Sequence, residues 1–202
     1  MRRVSQQELL PLVEYQLARD QIRDDIIRYK RTRRVAMGDL VSIVFENHRT
    51  LWFQTQEMLR VEHITDPAQV AEELAVYNDM LPEGLALAAT LLIEIPDSTQ
   101  IPSVLKRLTG LEEAVVLYLG EHAVQAEAEP GRSKDDKTSS VHYLTFPMQP
   151  QEARRLKDLT TAARLAIQHP GYTVEAALPE AVRLSLAADL DGAEGTGESG
   201  GL

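Results

Sequence analysis

Cysteine is missing from all 202 residues. That absence excludes disulfides, thiolate zinc sites, iron–sulfur ligation and cysteine nucleophiles together. Long hydrophobic runs are missing too: Leu85 to Ile93 is closed by Glu94 and falls far short of the roughly 20 residues that span a bilayer. The N-terminus carries Arg2 and Arg3, but Gln6, Gln7 and Glu8 stand where an export signal needs an apolar stretch. A cytoplasmic protein with no membrane partner is expected. No phosphate-binding glycine loop is present, nor the His-Glu-x-x-His pattern of hydrolytic zinc sites, nor the paired Glu-x-x-His of diiron bundles.

What remains is ordinary globular material, 44% apolar and 26% charged, enough for one sizeable core and one domain over residues 1–191. The last stretch, 192–202, is acidic and glycine-rich with no apolar face to bury, and is expected to be disordered. Net charge is -10, yet residues 1–34 hold nine Lys or Arg against five Asp or Glu. An acidic body with a basic N-terminal helix is a poor candidate for nucleic acid, which rewards a broad basic face.

Local signals predict helices first and strands later. Ser5 with Glu8 forms a capping-box pattern before Pro11, and a longer helix is expected from about Val13 to Arg34. LVSIVFE, residues 40–46, is a β-rich strand, and Asn47 can cap a helix from His48 to His63. Asp66 and Pro67 start another to about Met80. Further strands are expected in ALAATLLIEI, on either side of Gly120 and Glu121, in SVHYLTF, and on either side of Pro170 and Gly171, which read as a type II turn. Short helices begin near Pro102, Pro150 and Pro179. With little regular alternation, the pattern is α+β: N-terminal helices packed on a mainly antiparallel β-sheet.

Ionisable groups concentrate between Phe45 and His63. On a helical period Leu51, Thr55, Met58 and Glu62 share one face, so a buried Glu62 would need a cation, a metal or a proton. The plainer reading is a rim carboxylate or ion pair. Glu57 and Arg60, three apart, suit a surface ion pair. Alternatively Glu46, Glu57, Glu62 and His142 assemble an oxygen and nitrogen site for manganese or iron. His142 alternates with Leu144 and Phe146, as a core histidine does, whereas Tyr143 faces the other way. Arg28, Lys30, Arg31, Arg33 and Arg34 read as a solvated helix end or as an anion site with Tyr29 as a stacking platform. The loop from Gly131 to Lys137 mixes Arg132, Lys134 and Lys137 with Asp135 and Asp136, the charges of a hairpin tip more than of a phosphate cradle.

Phe45-Glu46-Asn47, Thr50, Phe53-Gln54, Gln56-Glu57-Met58 and Arg60 resemble the signature of an uncharacterised bacterial family, the domain of unknown function 3501. Glu73, Tyr77, Asn78, Pro82, residues 89–94, Gly131-Arg132-Ser133 and residues 140–143 fit the same pattern. The resemblance covers nearly everything except the acidic tail. It implies a redox-linked setting beside rubrerythrin-like and iron-sulfur oxidoreductase proteins, and brings no reaction, cofactor or catalytic residue with it. The expected role is an accessory protein that binds a ligand or partner. Its candidate pocket draws on Glu46, Asn47, Gln54, Gln56, Glu57, Arg60, Glu62, Tyr77, Asn78, Arg132 and His142. The alternatives are a metal-dependent enzyme on the carboxylate and histidine set, and a nucleotide or RNA binder through residues 28–34.

Overall fold

Alternation of apolar and polar side chains gives a strand one face to bury, and this chain closes two such faces on each other. The computed structural model describes residues 1–131 and 138–194. Helix α1 (Leu12–Lys30) is followed by strands β1 (Arg34–Met37) and β2 (Val41–Glu46), then α2 (His48–Val61) and α3 (Pro67–Asn78). Next come β3 (Ala86–Ile93), α4 (Ile101–Arg107), β4 (Val115–Leu119), β5 (His122–Gln125), β6 (Glu127–Ala128) and β7 (Val141–Pro147). The chain finishes with α5 (Pro150–Lys157), β8 (Ala163–His169), β9 (Tyr172–Ala177) and α6 (Glu180–Glu194). This is the α+β class expected, and no helix among the described residues is long and apolar enough to cross a membrane.

The strands divide into two antiparallel sheets, ordered β1-β2-β3-β7-β6 and β5-β4-β8-β9. The chain passes from the second to the first at Ala126, between β5 and β6. Val41, Ile43, Phe45, Leu87, Leu91, Leu144 and Phe146 of the first sheet join Val115, Leu117, Leu165 and Ile167 of the second in one continuous apolar cluster. Helix α6 adds Val182, Leu186 and Leu190 to it, spaced four apart as one helix face requires. Tyr172 bolts the sheets together, its hydroxyl donating to the Met37 carbonyl and accepting from the Leu40 amide.

Several element ends differ from the sequence expectation for identifiable reasons. Helix α1 stops at Lys30, not Arg34, because Arg34 to Met37 pairs with Val41 to Val44 as β1. Helix α5, expected from Pro150 to about Thr161, stops at Lys157, where the buried Arg183 guanidinium donates to the carbonyls of Arg155, Leu156, Asp158 and Thr161. Residues 170 and 171 do turn the chain between β8 and β9, but Gly171 lacks the positive φ of a type II turn. Close approach is what requires glycine there, since a Cβ would lie 2.7 Å from the Arg107 carbonyl oxygen. Helix α6 continues to Glu194; residues 195–202, most of the tail expected to be disordered, lie outside the described residues.

Arg33, in the turn after α1, is 0% exposed. Its Nε donates to the Phe45 carbonyl at 2.8 Å, Nη1 to the Tyr29 hydroxyl and Ser185 Oγ, and Nη2 to the Glu46 carbonyl and the Asp189 carboxylate. All five guanidinium N–H groups are thereby used. Ser185 and Asp189, four apart on α6, reach it from the same helix face. Replacing Arg33 with Met should destabilise the protein by about 3–5 kcal/mol, because Asp189 would be left without its cation. Urea denaturation checks this; a loss below about 1 kcal/mol would show that the pair behaves as an exposed one.

Candidate functional site

The first sheet has a second face, turned away from the core and toward α1, α2 and α3. Strand alternation places Ser42, Val44 and Glu46 of β2 on it, with Ala88, Thr90 and Leu92 of β3 and Val141, Tyr143 and Thr145 of β7. The register arranges them as three rows: Glu46–Ala88–Thr145, Val44–Thr90–Tyr143 and Ser42–Leu92–Val141. Small Ala88 in the first row leaves room beside the Glu46 side chain. A cleft of about 230 Å³ opens here, lined by Lys30, Val44, Glu46, Gln54, Thr90, Leu92, Val141 and Tyr143. A hollow of about 260 Å³ adjoins it across Tyr143, walled by Val76 of α3, by Asp79 and Met80 just after that helix, and by β6.

Helix periodicity explains why Lys30 takes part. Tyr15, Arg19, Ile22 and Ile26 form the inward face of α1, and Lys30 continues that face at the last residue of the helix. Gln54 is aimed by α2, whose start is fixed at Asn47: the Asn47 side-chain oxygen accepts from the Arg49 and Thr50 amides, and its Nδ2 donates to Tyr29 and Asp189 at 2.7 Å each. Glu46 immediately precedes that cap.

Glu46 is 3% exposed. Thr90 Oγ1 donates to its Oε1 at 2.9 Å, while Oε2 is buried without a hydrogen-bond partner. A buried carboxylate that lacks a partner costs folding free energy. This one belongs to a residue that lines the cleft. Such a group can accept a hydrogen bond from a bound molecule, pair with its positive charge, or take a proton from it.

The other residues singled out from sequence lie elsewhere. Gln56 is fully buried and clamps the N-terminal arm, accepting from the Leu10 amide and donating to the Leu10 carbonyl. Asn78 holds Val4 the same way, at 2.8 and 2.9 Å. Glu57 accepts from Arg19 through both oxygens at 2.8 Å, from Tyr15 at 2.8 Å and from Arg60 at 3.1 Å, so it locks α1 to α2 and is more than the surface pair with Arg60 expected. Glu62 is exposed at the end of α2, which removes the need for a cation beside it. Tyr77 is half-buried on α3, and burial, then the Glu73 carboxylate, pushes its phenol up. Arg132 lies outside the described residues.

His142 is on the core face, its Nε2 at 2.8 Å from Thr138 Oγ1 and 2.9 Å from the Ser139 carbonyl, with Nδ1 3.6 Å from Glu112. The sheet therefore separates it from Glu46, and Glu57 and Glu62 are occupied or exposed on α2. The proposed metal set of Glu46, Glu57, Glu62 and His142 is not brought together, and among the described residues no group of three or more such side chains is placed to hold a metal ion.

The basic run from Arg28 to Arg34 is likewise dispersed. Arg28 pairs with Asp25, Arg33 is buried, and Arg34 pairs with Glu94. The Tyr29 ring lies under the guanidinium groups of Arg33 and Arg49, at 5.5 and 4.4 Å. It offers no open stacking platform.

Sequence reasoning missed Lys30, Thr90 and Tyr143 as cleft residues. Thr90 carries a signal, since it is a hydroxyl in the middle of an otherwise apolar run, and Tyr143 carries one in its alternation away from His142. Lys30 gives none apart from helix phase.

The fold and site together define an α+β protein with two antiparallel sheets and a polar cleft between the outer sheet face and the N-terminal helices. The chain belongs to the family described as protein of unknown function (DUF3501), whose model matches residues 3–190. It is similar to the crystal structure of a novel protein of unknown function from Burkholderia pseudomallei K96243, with TM-score 0.88 and 34% identity over 94% of this chain and 100% of that one. No curated protein matches the chain.

The Glu57 cluster generates a pH prediction. Hydrogen bonds from Arg19 first, then from Arg60 and Tyr15, hold the Glu57 carboxyl down at about 2 against an ordinary 4.5. A depressed native pKa means that the unfolded chain takes the proton first, so this stabilisation is complete above about pH 4.5 and is lost as the pH falls toward 2. Glu8, held in the same range by the Ser5 amide, contributes in the same window. Glu57→Gln should flatten, without abolishing, the fall in stability across that window. Urea midpoints measured at a series of acidic pH values check it; superimposable acid limbs would contradict the assignment.

Proposed function

We propose that this protein binds a small ligand in the cleft between the outer face of the first sheet and helices α1 and α2, and that it acts as an accessory protein without a reaction of its own. The observation that carries the reading is Glu46: a carboxylate in the wall of the cleft at 3% exposure, held by Thr90 through one oxygen and buried without a hydrogen-bond partner at the other. Every other buried polar group in the Phe45 to His63 stretch that sequence had singled out serves the scaffold. Asn47 caps a helix and Gln56 clamps a backbone segment. Glu46 alone among them keeps unused capacity that a ligand would satisfy.

The redox-linked setting implied by the family resemblance bears on which partners to test and not on chemistry within the chain. With no cysteine the chain cannot hold an iron–sulfur cluster on its own thiolates, so a redox role would draw on a partner's cofactor or on a carboxylate and histidine metal site, and rubrerythrin-like and iron-sulfur oxidoreductase proteins are the partners to test first. A cytoplasmic location agrees with that choice.

A residue kept for binding at the expense of stability should reveal itself on neutralisation. Glu46→Gln keeps the shape of the side chain and an oxygen to accept from Thr90, while removing the buried charge. The variant should be more stable than the parent by about 1–2 kcal/mol, which for a chain of this size raises Tm by about 2–4 °C per kcal/mol. Thermal and urea denaturation of the ligand-free protein measure this. A variant destabilised by 1 kcal/mol or more (about the value of one net hydrogen bond) would make Glu46 a structural carboxylate and end this reading.

A further inference from the structure

Resting on the reading of the cleft as a binding site, the class of occupant can be narrowed by charge, size and lining. Glu46 Oε2 has no hydrogen-bond partner, and the residue is almost wholly removed from water. A neutral donor such as a hydroxyl would satisfy the lone pair and leave the charge uncompensated. A cationic donor does both. Thr90 Oγ1 spends its proton on Oε1, so any further bond it makes is as an acceptor. Two acceptor groups side by side suit an ammonium, which brings three N–H donors on one compact atom.

The rest of the lining is of opposite character. Lys30 contributes a cation and Gln54 an amide from the helical wall, whereas Val44, Leu92 and Val141 form an apolar strip along the sheet. At about 230 Å³ the cleft lies below the roughly 300–1,000 Å³ usual for drug-sized ligands.

We infer that the cleft binds a small aliphatic amino acid as its zwitterion. The ammonium is held between Glu46 and Thr90, the carboxylate by Lys30 and Gln54, and the aliphatic carbons lie against Val44, Leu92 and Val141. Each charged group of the ligand then meets its opposite in the wall, and the carboxylate that the empty protein leaves unpaired gains both a hydrogen bond and a counter-charge.

Calorimetric titration of the full chain with glycine, L-alanine, L-valine and 4-aminobutyrate, alongside n-propylamine and propionate as half-ligands, tests the assignment. Saturable binding is expected for at least one amino acid, with n-propylamine weaker and propionate without measurable binding. Glu46→Gln should weaken the amino acid by about tenfold to a hundredfold, the range for losing a charge-assisted hydrogen bond. Lys30→Met should erase the preference for the amino acid over n-propylamine and leave the amine itself unaffected. Propionate binding as tightly as the amino acids, or no amine-bearing compound binding at all, would overturn the zwitterion. Amide and methyl NMR spectra recorded with acetamide as a neutral probe separate that failure from failure of the cleft itself. Shifts confined to Val44, Thr90, Leu92 and Tyr143 would overturn the ligand class and retain the site; no shift there with any probe would overturn both.

Discussion

One buried guanidinium holds the architecture in place. Arg33 leaves the end of α1, enters the protein between β2 and α6, and spends every N–H on a fixed acceptor. Two of those acceptors are the carbonyls of Phe45 and Glu46, the last residues of the strand that carries the site. A charge this deep is tolerated only because Asp189 neutralises it and carbonyls and hydroxyls take the remaining protons. The same aspartate accepts from Asn47 through its other oxygen. Arg33 and Asp189 thereby tie the start of α2, the end of β2 and the middle of α6 to a single point, and Glu46 inherits its position from that point.

Around this anchor, polar side chains do work that backbone pairing does elsewhere. Gln56 and Asn78 each present an amide to the N–H and C=O of one residue in the N-terminal arm, as a neighbouring strand would. Trp52 donates to the Glu8 carbonyl and sets its indole edge against Tyr15, 6.3 Å between centroids. Glu57 gathers Arg19, Arg60 and Tyr15. The arm and the three helices are thus fastened to each other by hydrogen bonds beside a thin apolar layer of Val4, Ile26, Leu51, Leu59 and Leu74. The cleft lies where Lys30 of α1 and Gln54 of α2 meet the outer-face residues Val44, Leu92 and Val141.

Sequence showed what is local and hid what is not. Ser5 with Glu8, Asn47 before His48, and Asp66 with Pro67 all cap as their spacing requires, because a cap involves only residues three or four apart. Alternation correctly put His142 on the core face and Tyr143 on the other. Arg33 could not be read this way: five cations within seven residues look like a solvated helix end, and the aspartate that draws one of them inside lies 156 positions away. Strand β1 was hidden for the same reason, since its first residue belongs to that basic run. The switch of sheets at Ala126 leaves no local mark at all. Among the carboxylates, Glu46 and Glu57 are equally polar members of one segment; only three-dimensional partners show Glu57 consumed by two arginines and Glu46 left with one buried oxygen unpartnered.

Why a carboxylate should persist at position 46 follows from its neighbours. The adjoining row residue is Ala88 and the side-chain donor to Glu46 is Thr90, and the second oxygen has no hydrogen-bond partner. A structural role would require the opposite arrangement, a cation or a ring of N–H donors drawn close, as Glu57 and Asp189 have. The chain could supply one: Lys30 is on the inward face of α1 and borders the same cleft. Were Lys30 to close on Glu46, the pair would fill the space and neutralise itself. Unpaired with each other, Lys30 and Glu46 put opposite charges into the lining of one cleft beside Val44, Leu92 and Val141, where a molecule with its own opposed charges gains more than either half of it would alone.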